Sequence, residues 1–408
     1  MKLSKCLCVL LVAVLVLGMI TGCTPQEAST PTPAPPATDP TPGETVTEPE
    51  APAELVIGMI QDLTGLTGQQ GTGAQRGVQM MVEEINAAGG INGTTMIRLV
   101  EYDIKGDVTE SINAFKRLCD QDNVDIVIGP HISNIGIALA PLSEQYKVPI
   151  VGAYIDDRTV LKEDGTAYRY MFIAQPSATQ QAQVIASYAL EELGAETFAI
   201  LYNAANAYCV SLQGPFIEYV EANGGTILAV EGFQDADKDY RTQLTKLKNL
   251  NPDAVYMPNY PAQVPLCVQQ AREVGITVPL LGANGYIPNI YLAEAAAENE
   301  TYIPYNIDYD NEAIKAFDVE FQAKWSFETN AQTYIAMDAL SVVVEAFKKC
   351  GTTDSEALTD AINGVVVQGW MGEFSISPDT HMPVGMPMAI LNVIGGKANT
   401  VTTVATMS

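Results

Sequence analysis

Few residues in this 408-residue chain offer chemistry, and those that do point to binding rather than bond-breaking. There are two histidines, His131 and His381, so a Ser-His-Asp arrangement has little raw material. No G-x-S-x-G elbow, HExxH or P-loop is present. Gly71-Thr-Gly-Ala-Gln-Arg-Gly77 has the outline of a dinucleotide fingerprint, with Asp103 where a ribose-binding acid would stand. That fingerprint needs its glycines at a strand-to-helix turn. Here Gly71 lies about ten residues past the strand and the third glycine comes one position late. A nucleotide-using enzyme is therefore the distant alternative, and no cofactor is expected.

Ser133 is the stronger candidate. It follows a strand and precedes a helix, where a hydroxyl and free backbone N–H groups can hold a carboxylate. A plain helix cap is the competing reading. What singles out the position is a repeat. Asn123-Val-Asp-Ile-Val-Ile-Gly-Pro-His-Ile-Ser133 and Asn251-Pro-Asp-Ala-Val-Tyr-Met-Pro-Asn-Tyr-Pro261 both fit N-x-D-x-V-x-x-P. Val148-Pro-Ile-Val-Gly-Ala-Tyr154 is echoed by Val278-Pro-Leu-Leu-Gly-Ala-Asn284 at nearly the same offset. Tyr260 falls one residue before the Ser133-equivalent position. A serine on one jaw and a tyrosine on the other suit a small molecule with a polar end and an apolar body. Tyr154, Tyr208 and Tyr286 add aromatic surface on neighbouring loops or belong to the core. His131 touches ligand from the cleft-facing loop or is a satisfied structural histidine.

The elements that must position these residues alternate. A strand at Glu54–Ile60 leads to a helix from about 72 to 88, a strand ending at Tyr102-Asp103, and a helix from about Thr109. The Asn123 strand, a helix near 135–146 and a strand at Pro149 follow, and the pattern restarts at Thr197–Tyr202. Beyond it come a helix from Tyr208, a strand at Thr226, a helix over 239–250 and the Asp253 strand. After 310 the sequence reads as long amphipathic helices and then strands near Glu373 and Met388. Such alternation is the signature of an α/β fold with parallel sheets. Duplicated, it gives two doubly wound lobes whose strand ends face each other across a cleft, where ligands sit.

Composition adds limits. A net charge of −27 and a pI near 4.2 exclude the basic footprint that nucleic acid requires, and argue against an anionic lipid surface as an electrostatic partner. Lys2 and Lys5 precede an unbroken apolar run from Cys6 to Ile20, 15 residues long. At about 1.5 Å per helical residue that run is short of a roughly 30 Å hydrocarbon core, so it reads as the h-region of an export signal. It ends in Ile20-Thr-Gly-Cys23, which resembles a bacterial lipobox and marks Cys23 for lipidation; an ordinary secretory signal with an incidental cysteine is the alternative. Residues 24–53 hold nine Pro and seven Thr, five acids and no base, a composition that stays extended and serves as a tether. Cys119, Cys209, Cys267 and Cys350 show no metal-ligand spacing and leave a disulfide open.

The body from about Leu55 resembles the leucine/isoleucine/valine-binding protein family, the extracytoplasmic solute receptors of branched-chain amino acid ABC importers. The resemblance rests on Leu63-Thr-Gly, Gln75-Arg-Gly, Ile85-Asn-Ala-Ala-Gly-Gly-Ile-Asn-Gly, Tyr102-Asp103, Val127-Ile-Gly, Val148-Pro-Ile, the stretch from Gly275 to Gly282 and Tyr334-Ile-Ala-Met-Asp-Ala-Leu340. It implies a type I periplasmic-binding fold, two lobes joined by a three-crossover hinge near Gln175, Pro304 and Gly372. One lobe would comprise 54–174 with 303–372, the other 175–302 with 373–408. It implies Ser133 as a carboxylate-binding serine, Ala153 as a backbone ligand, and Tyr208 and Tyr260 as pocket tyrosines. Gln70 stands where an aromatic residue often closes the first loop, and Ile155 where a hydroxyl is common. Asn284 replaces the glutamate that grips the ligand's ammonium, so Asp156 or Asp157 supplies the charge or the ligand lacks an ammonium. The expected protein is a monomeric, lipid-anchored receptor outside the cytoplasm that passes an amino acid or small carboxylate to a membrane permease. A sensory receptor is the alternative among binding proteins.

Overall fold

The apolar runs of the sequence become the strands of two largely parallel sheets. The structure, a computed structural model, describes residues 54–406 apart from 288, 289, 291, 292, 294, 295 and 299. The expected leader, Cys23 and the Pro/Thr-rich tether lie outside the described residues. In the first sheet β1 (Glu54–Gln61), β2 (Met96–Asp103), β3 (Ile126–Ile128), β4 (Ile150–Gly152) and β5 (Met171–Ile173) run parallel in the order β2-β1-β3-β4-β5. The helices α1 (Gly68–Ala87), α2 (Val108–Asp120) and α3 (Ser133–Tyr146) connect them. The second lobe opens with α4 (Ala178–Glu191). Its strands β6 (Thr197–Asn203), β7 (Thr226–Phe233), β8 (Ala254–Tyr256), β9 (Leu280–Leu281) and β10 (Thr301–Tyr305) are parallel in the order β7-β6-β8-β9-β10. Between them lie α5 (Ala207–Ala222), α6 (Arg241–Asn249) and α7 (Val264–Glu273).

The chain then returns to the first lobe. The helices α8 (Glu312–Trp325), α9 (Ala331–Cys350) and α10 (Ser355–Ile362) precede a small antiparallel sheet of β11 (Val366–Gln368), β12 (Glu373–Ile376) and β13 (Pro383–Val384). Leu340, Val343 and Phe347 of α9, with Val367, Phe374 and Ile376 of the small sheet, bury against Leu55, Ile57 and Val151 of the first sheet. Two last strands, β14 (Pro387–Ile394) and β15 (Lys397–Ala405), extend the second sheet antiparallel beyond β10. This moves two expected boundaries. A division at 302/303 cuts through β10, and one at 372/373 cuts the turn between β11 and β12. Sheet membership instead has the chain leave the second sheet after Tyr305 and rejoin it at Pro387. Among the described residues no helix is long and apolar enough to cross a membrane.

The repeated motif turns out to be scaffold. Asn123 and Asn251 hold φ of 51° and 52°, left-handed values that asparagine adopts more readily than most residues. Each turns the chain from a helix into β3 or β8. Two residues on, Asp125 accepts a hydrogen bond from Val56 N at 2.8 Å and Asp253 one from Thr197 N at 2.9 Å. In both lobes the same carboxylate therefore pins the start of the neighbouring strand.

The glycines of 71–77 have a different task from the phosphate loop they resemble. The helix α1 begins at Gly68, earlier than the expected 72, and all three glycines lie inside it. A Cβ on Gly73 would stand 2.2 Å from Asn330 Nδ2, and one on Gly77 2.9 Å from Thr333 Cγ2. They let α1 lie against the start of α9. With Gly71, Gly73 and Gly77 inside the helix and not at the strand-to-helix turn, the nucleotide alternative loses its motif. Cys119, Cys209, Cys267 and Cys350 are all unpaired.

Candidate functional site

The carboxyl ends of both sheets meet at a cleft with ≈ 550 Å³ of empty space, open solvent included. Thr67 and Gln70 at the start of α1, His131 after β3 and Ile155 after β4 form its wall on the first lobe. Tyr208 at the start of α5, Tyr260 and Pro261 after β8, and Asn284 after β9 form the facing wall. Gln175, where the chain first crosses between lobes, forms one end, and Asn330, Ala331 and Gln332 at the start of α9 another. Among the described residues no aspartate, glutamate, lysine or arginine lines it.

The polar groups of the first-lobe wall are linked. Asp62, fully buried, accepts from Gly65 N, Thr67 N and, at 2.7 Å, from the Thr67 hydroxyl. Thr67 Oγ1 having donated there, it accepts from His131 Nε2 at 2.8 Å and has Tyr260 of the other lobe as a further partner. Burial pushes the His131 pKa down to about 4, against a smaller opposing effect of the Asp62 charge. The ring is therefore neutral near pH 7 with its proton on Nε2. His131 Nδ1 lies 2.7 Å from the Gln61 amide, whose Nε2 is otherwise buried without a partner. Turned end for end, that amide donates to Nδ1 and both groups are satisfied.

The facing wall centres on Asn284. Its Oδ1 accepts from the Tyr208 hydroxyl at 2.8 Å, and Gly285 N donates to the same hydroxyl at 2.9 Å. Its Nδ2 lies 3.3 Å from both Gln175 Oε1 and Asn306 Oδ1. Gln175 Nε2 in turn donates to the Ala153 carbonyl. Tyr208 and Tyr260 meet edge to face, with centroids 5.9 Å apart and planes at 75°.

Of the residues expected at the site, Gln70, Ile155, Tyr208, Tyr260 and Asn284 line the cavity, while Ser133, Ala153 and Tyr154 do not. Ser133 lies two residues beyond His131, opens α3, and has a buried Oγ with no partner among the described residues. Ile135 N and Gly136 N both reach Ile132 O, which leaves the amides of Ser133 and Asn134 without an acceptor among the described residues. Ala153 is buried with its carbonyl already taken by Gln175. Tyr154 is a correction: it belongs to the first-lobe core. Its ring lies so close over Gly136 and Gly152 that a Cβ on either would stand within 2.6 Å of it. Tyr286 is likewise core, its hydroxyl donating to Met257 O at 2.6 Å. Neither aspartate considered as a source of charge reaches the cavity. Asp156 is paired with Arg158 at 2.6 Å, and Asp157 accepts from Thr179 while burial raises its pKa.

Thr67, Gln175 and the Asn330–Gln332 turn were not expected as lining. The Asn330 turn sits some two hundred residues from the other first-lobe wall residues, and only the packing of α9 on α1 brings it there. A signal existed for Gln175, which lies at an expected crossover.

Comparison with known proteins agrees with this architecture. A family model described as periplasmic binding protein matches residues 54–398. The Leu/Ile/Val-binding protein homolog 3 of Brucella melitensis is 26% identical over 309 residues, 75% of this chain and 82% of that protein. The crystal structure of a branched-chain amino acid transporter substrate-binding protein from Streptococcus pneumoniae, in complex with isoleucine, superposes with a TM-score of 0.76. It is 28% identical and covers 86% of this chain and 99% of its own. A solute-binding protein of an ABC transporter from Rhodopseudomonas palustris, in complex with 3,4-dihydroxybenzoic acid, shares the fold. Its TM-score is 0.75 and its identity 19%, covering 88% of this chain and 99% of that one.

Proposed function

We propose, for a chain that belongs to the periplasmic binding protein family, that the cleft captures a small carboxylate-bearing solute of about amino-acid size. The protein is a binding protein and not an enzyme. The captured solute passes to an ABC permease in the membrane, to which a lipid on Cys23 and the 24–53 tether hold the monomeric receptor from outside the cytoplasm. The single observation that carries the reading is the start of α3. A buried Ser133 hydroxyl and two amides without acceptors among the described residues follow the wall residue His131 by two and three positions, at the positive end of a 14-residue helix. Those groups are what a carboxylate needs. The tyrosine pair, Ile155 and Ile287 supply the apolar enclosure for the rest of the molecule.

Capture works by closure. The moving bodies are 54–174 with 309–384 and 175–305 with 387–406, turning about the crossovers near Gln175, after Tyr305 and before Pro387. Support for the solute class comes from the Brucella melitensis and Streptococcus pneumoniae proteins, named for branched-chain amino acids, and from the Rhodopseudomonas palustris protein, seen with an aromatic acid.

The test is thermal unfolding of the protein, stripped of bound ligand, against amino acids, organic acids and amides. A ligand at about 100 times its dissociation constant adds roughly 2.7 kcal/mol of stability. A shift with carboxylates that vanishes for their methyl esters is expected. A panel in which no carboxylate shifts the transition would overturn the reading.

A further inference from the structure

Each hydrogen-bond acceptor at the end of the cavity formed by Gln175 and Asn284 already has a protein donor on one of its two lone pairs. Four oxygens gather there: the Ala153 carbonyl, Gln175 Oε1, Asn284 Oδ1 and Asn306 Oδ1. The protein supplies a donor to each, from Gln175 Nε2, Asn284 Nδ2, the Tyr208 hydroxyl and again Asn284 Nδ2. The amide orientations are fixed by the partners. Reversing Asn284 would set its oxygen against those of Gln175 and Asn306. What this cluster has to spare is a donor, since Asn306 Nδ2 is buried with no partner among the described residues.

An ammonium group is the wrong guest for such a surface. It brings three N–H donors and a positive charge, and needs acceptors, preferably a carboxylate, to offset its desolvation. Among the described residues no acidic side chain lines the cavity. Among the described residues the buried lining acceptor left without a donor, Gln332 Oε1, is a neutral oxygen from α9 and suits a single ligand N–H or O–H. Meanwhile the Gln175 amide spans the lobes, joining the Ala153 loop of the first to Asn284 of the second, as a ligand's own donor would.

We propose that Gln175 acts as a built-in surrogate for the ligand's nitrogen, so that this cleft selects aliphatic or aromatic monocarboxylates that carry no ammonium group. The inference rests on the reading of the cleft as a carboxylate site and narrows its ligand. Gln175 is a specificity-determining residue.

The experiment is calorimetric binding of two matched pairs to the stripped protein: L-leucine against 4-methylpentanoate, and L-phenylalanine against 3-phenylpropanoate. Each pair differs only by the ammonium group. The wild-type protein is expected to bind the ammonium-free member at least about tenfold more tightly in whichever pair fits. Gln175→Glu, which removes the donor and adds a carboxylate, is expected to move that ratio at least about tenfold towards the amino acid. A ratio within one pair is insensitive to any change the substitution makes to hinge closure, because both members need the same closure. Wild-type protein that binds the amino acid as tightly as its partner overturns this inference and leaves the solute reading standing, whether or not the variant folds. So does a Gln175→Glu protein with an unchanged ratio. Failure to bind any of the four compounds overturns this inference, and the solute reading falls with it only when the wider carboxylate panel is silent too.

Discussion

The side chain of Asn134, in the first turn of α3, accepts a hydrogen bond from Ala207 N at the start of α5, 3.3 Å away on the opposite lobe. It joins the two jaws directly, without a ligand between them. Removing it makes the closed form less populated before ligand arrives, which weakens every ligand alike. Asn134→Ala is expected to raise dissociation constants about two- to tenfold by one common factor. Calorimetry with two unlike ligands checks it; a factor that differs between them would place Asn134 on the ligand instead.

Ser133 separates binding from stability. Its hydroxyl is buried and has no partner among the described residues, so Ser133→Ala discards a group their packing does not use. Carboxylate binding is expected to fall about tenfold while the unfolding temperature stays level or rises slightly. Parallel titration and thermal scans measure the two; a large loss of stability would mean the hydroxyl serves the core.

His131 makes the fold sensitive to acid. Its folded-state pKa is held near 4 by burial, below the ordinary 6.5, so below about pH 6.5 the unfolded chain takes up a proton that the folded chain refuses. Stability tied to this residue is complete above pH 6.5 and is lost as pH falls towards 4. His131→Asn is expected to flatten the stability curve over that window. Denaturant midpoints at half-unit pH steps report it, and a parallel curve for the variant would reject the assignment.

Asp338 works in the opposite direction. It lies buried on α9, accepts from Trp370 N at 3.2 Å, and burial raises its pKa to about 8. Between about pH 4 and 8 the unfolded chain gives up this proton and the folded chain keeps it, so stability falls as pH rises. Asp338→Asn keeps the acceptor without the charge. The variant is expected to unfold at higher temperature than wild type at pH 8 and at the same temperature near pH 4.

Gly73→Ala tests the contact of α1 with α9. The added methyl group meets Asn330 Nδ2 at 2.2 Å, within the side chain that caps α9 and lines the cavity. A loss of about 1–3 kcal/mol of stability is expected, with weaker ligand binding. Urea unfolding gives the first and calorimetry the second.

The sequence showed the scaffold more clearly than the site. Asn123 with Asp125, and Asn251 with Asp253, are legible because turning a chain and pinning a strand each need one residue type at a fixed local spacing. Asn284 was singled out at the end of a repeated stretch and Tyr208 through the family resemblance, and both line the cavity. Thr67 and Gln332 were not, since distant segments assemble their wall and nothing in the neighbouring residues marks it; Gln175 was marked only as a crossover. Tyr154 was misplaced for a simpler reason: a loop position fixes where the backbone is, and the ring turned inward over two glycines. The lobe boundary near 302 was misplaced because β10 and the first lobe's return path abut with no linker composition between them.

Neither lobe is a continuous stretch of chain, and that sets the order in which the protein is able to fold during synthesis. The first lobe lacks a wall of its core until α9 has been made, at 331–350, and the second sheet lacks its β14 neighbour until 387–394. A nascent chain therefore carries two unfinished cores for most of its synthesis.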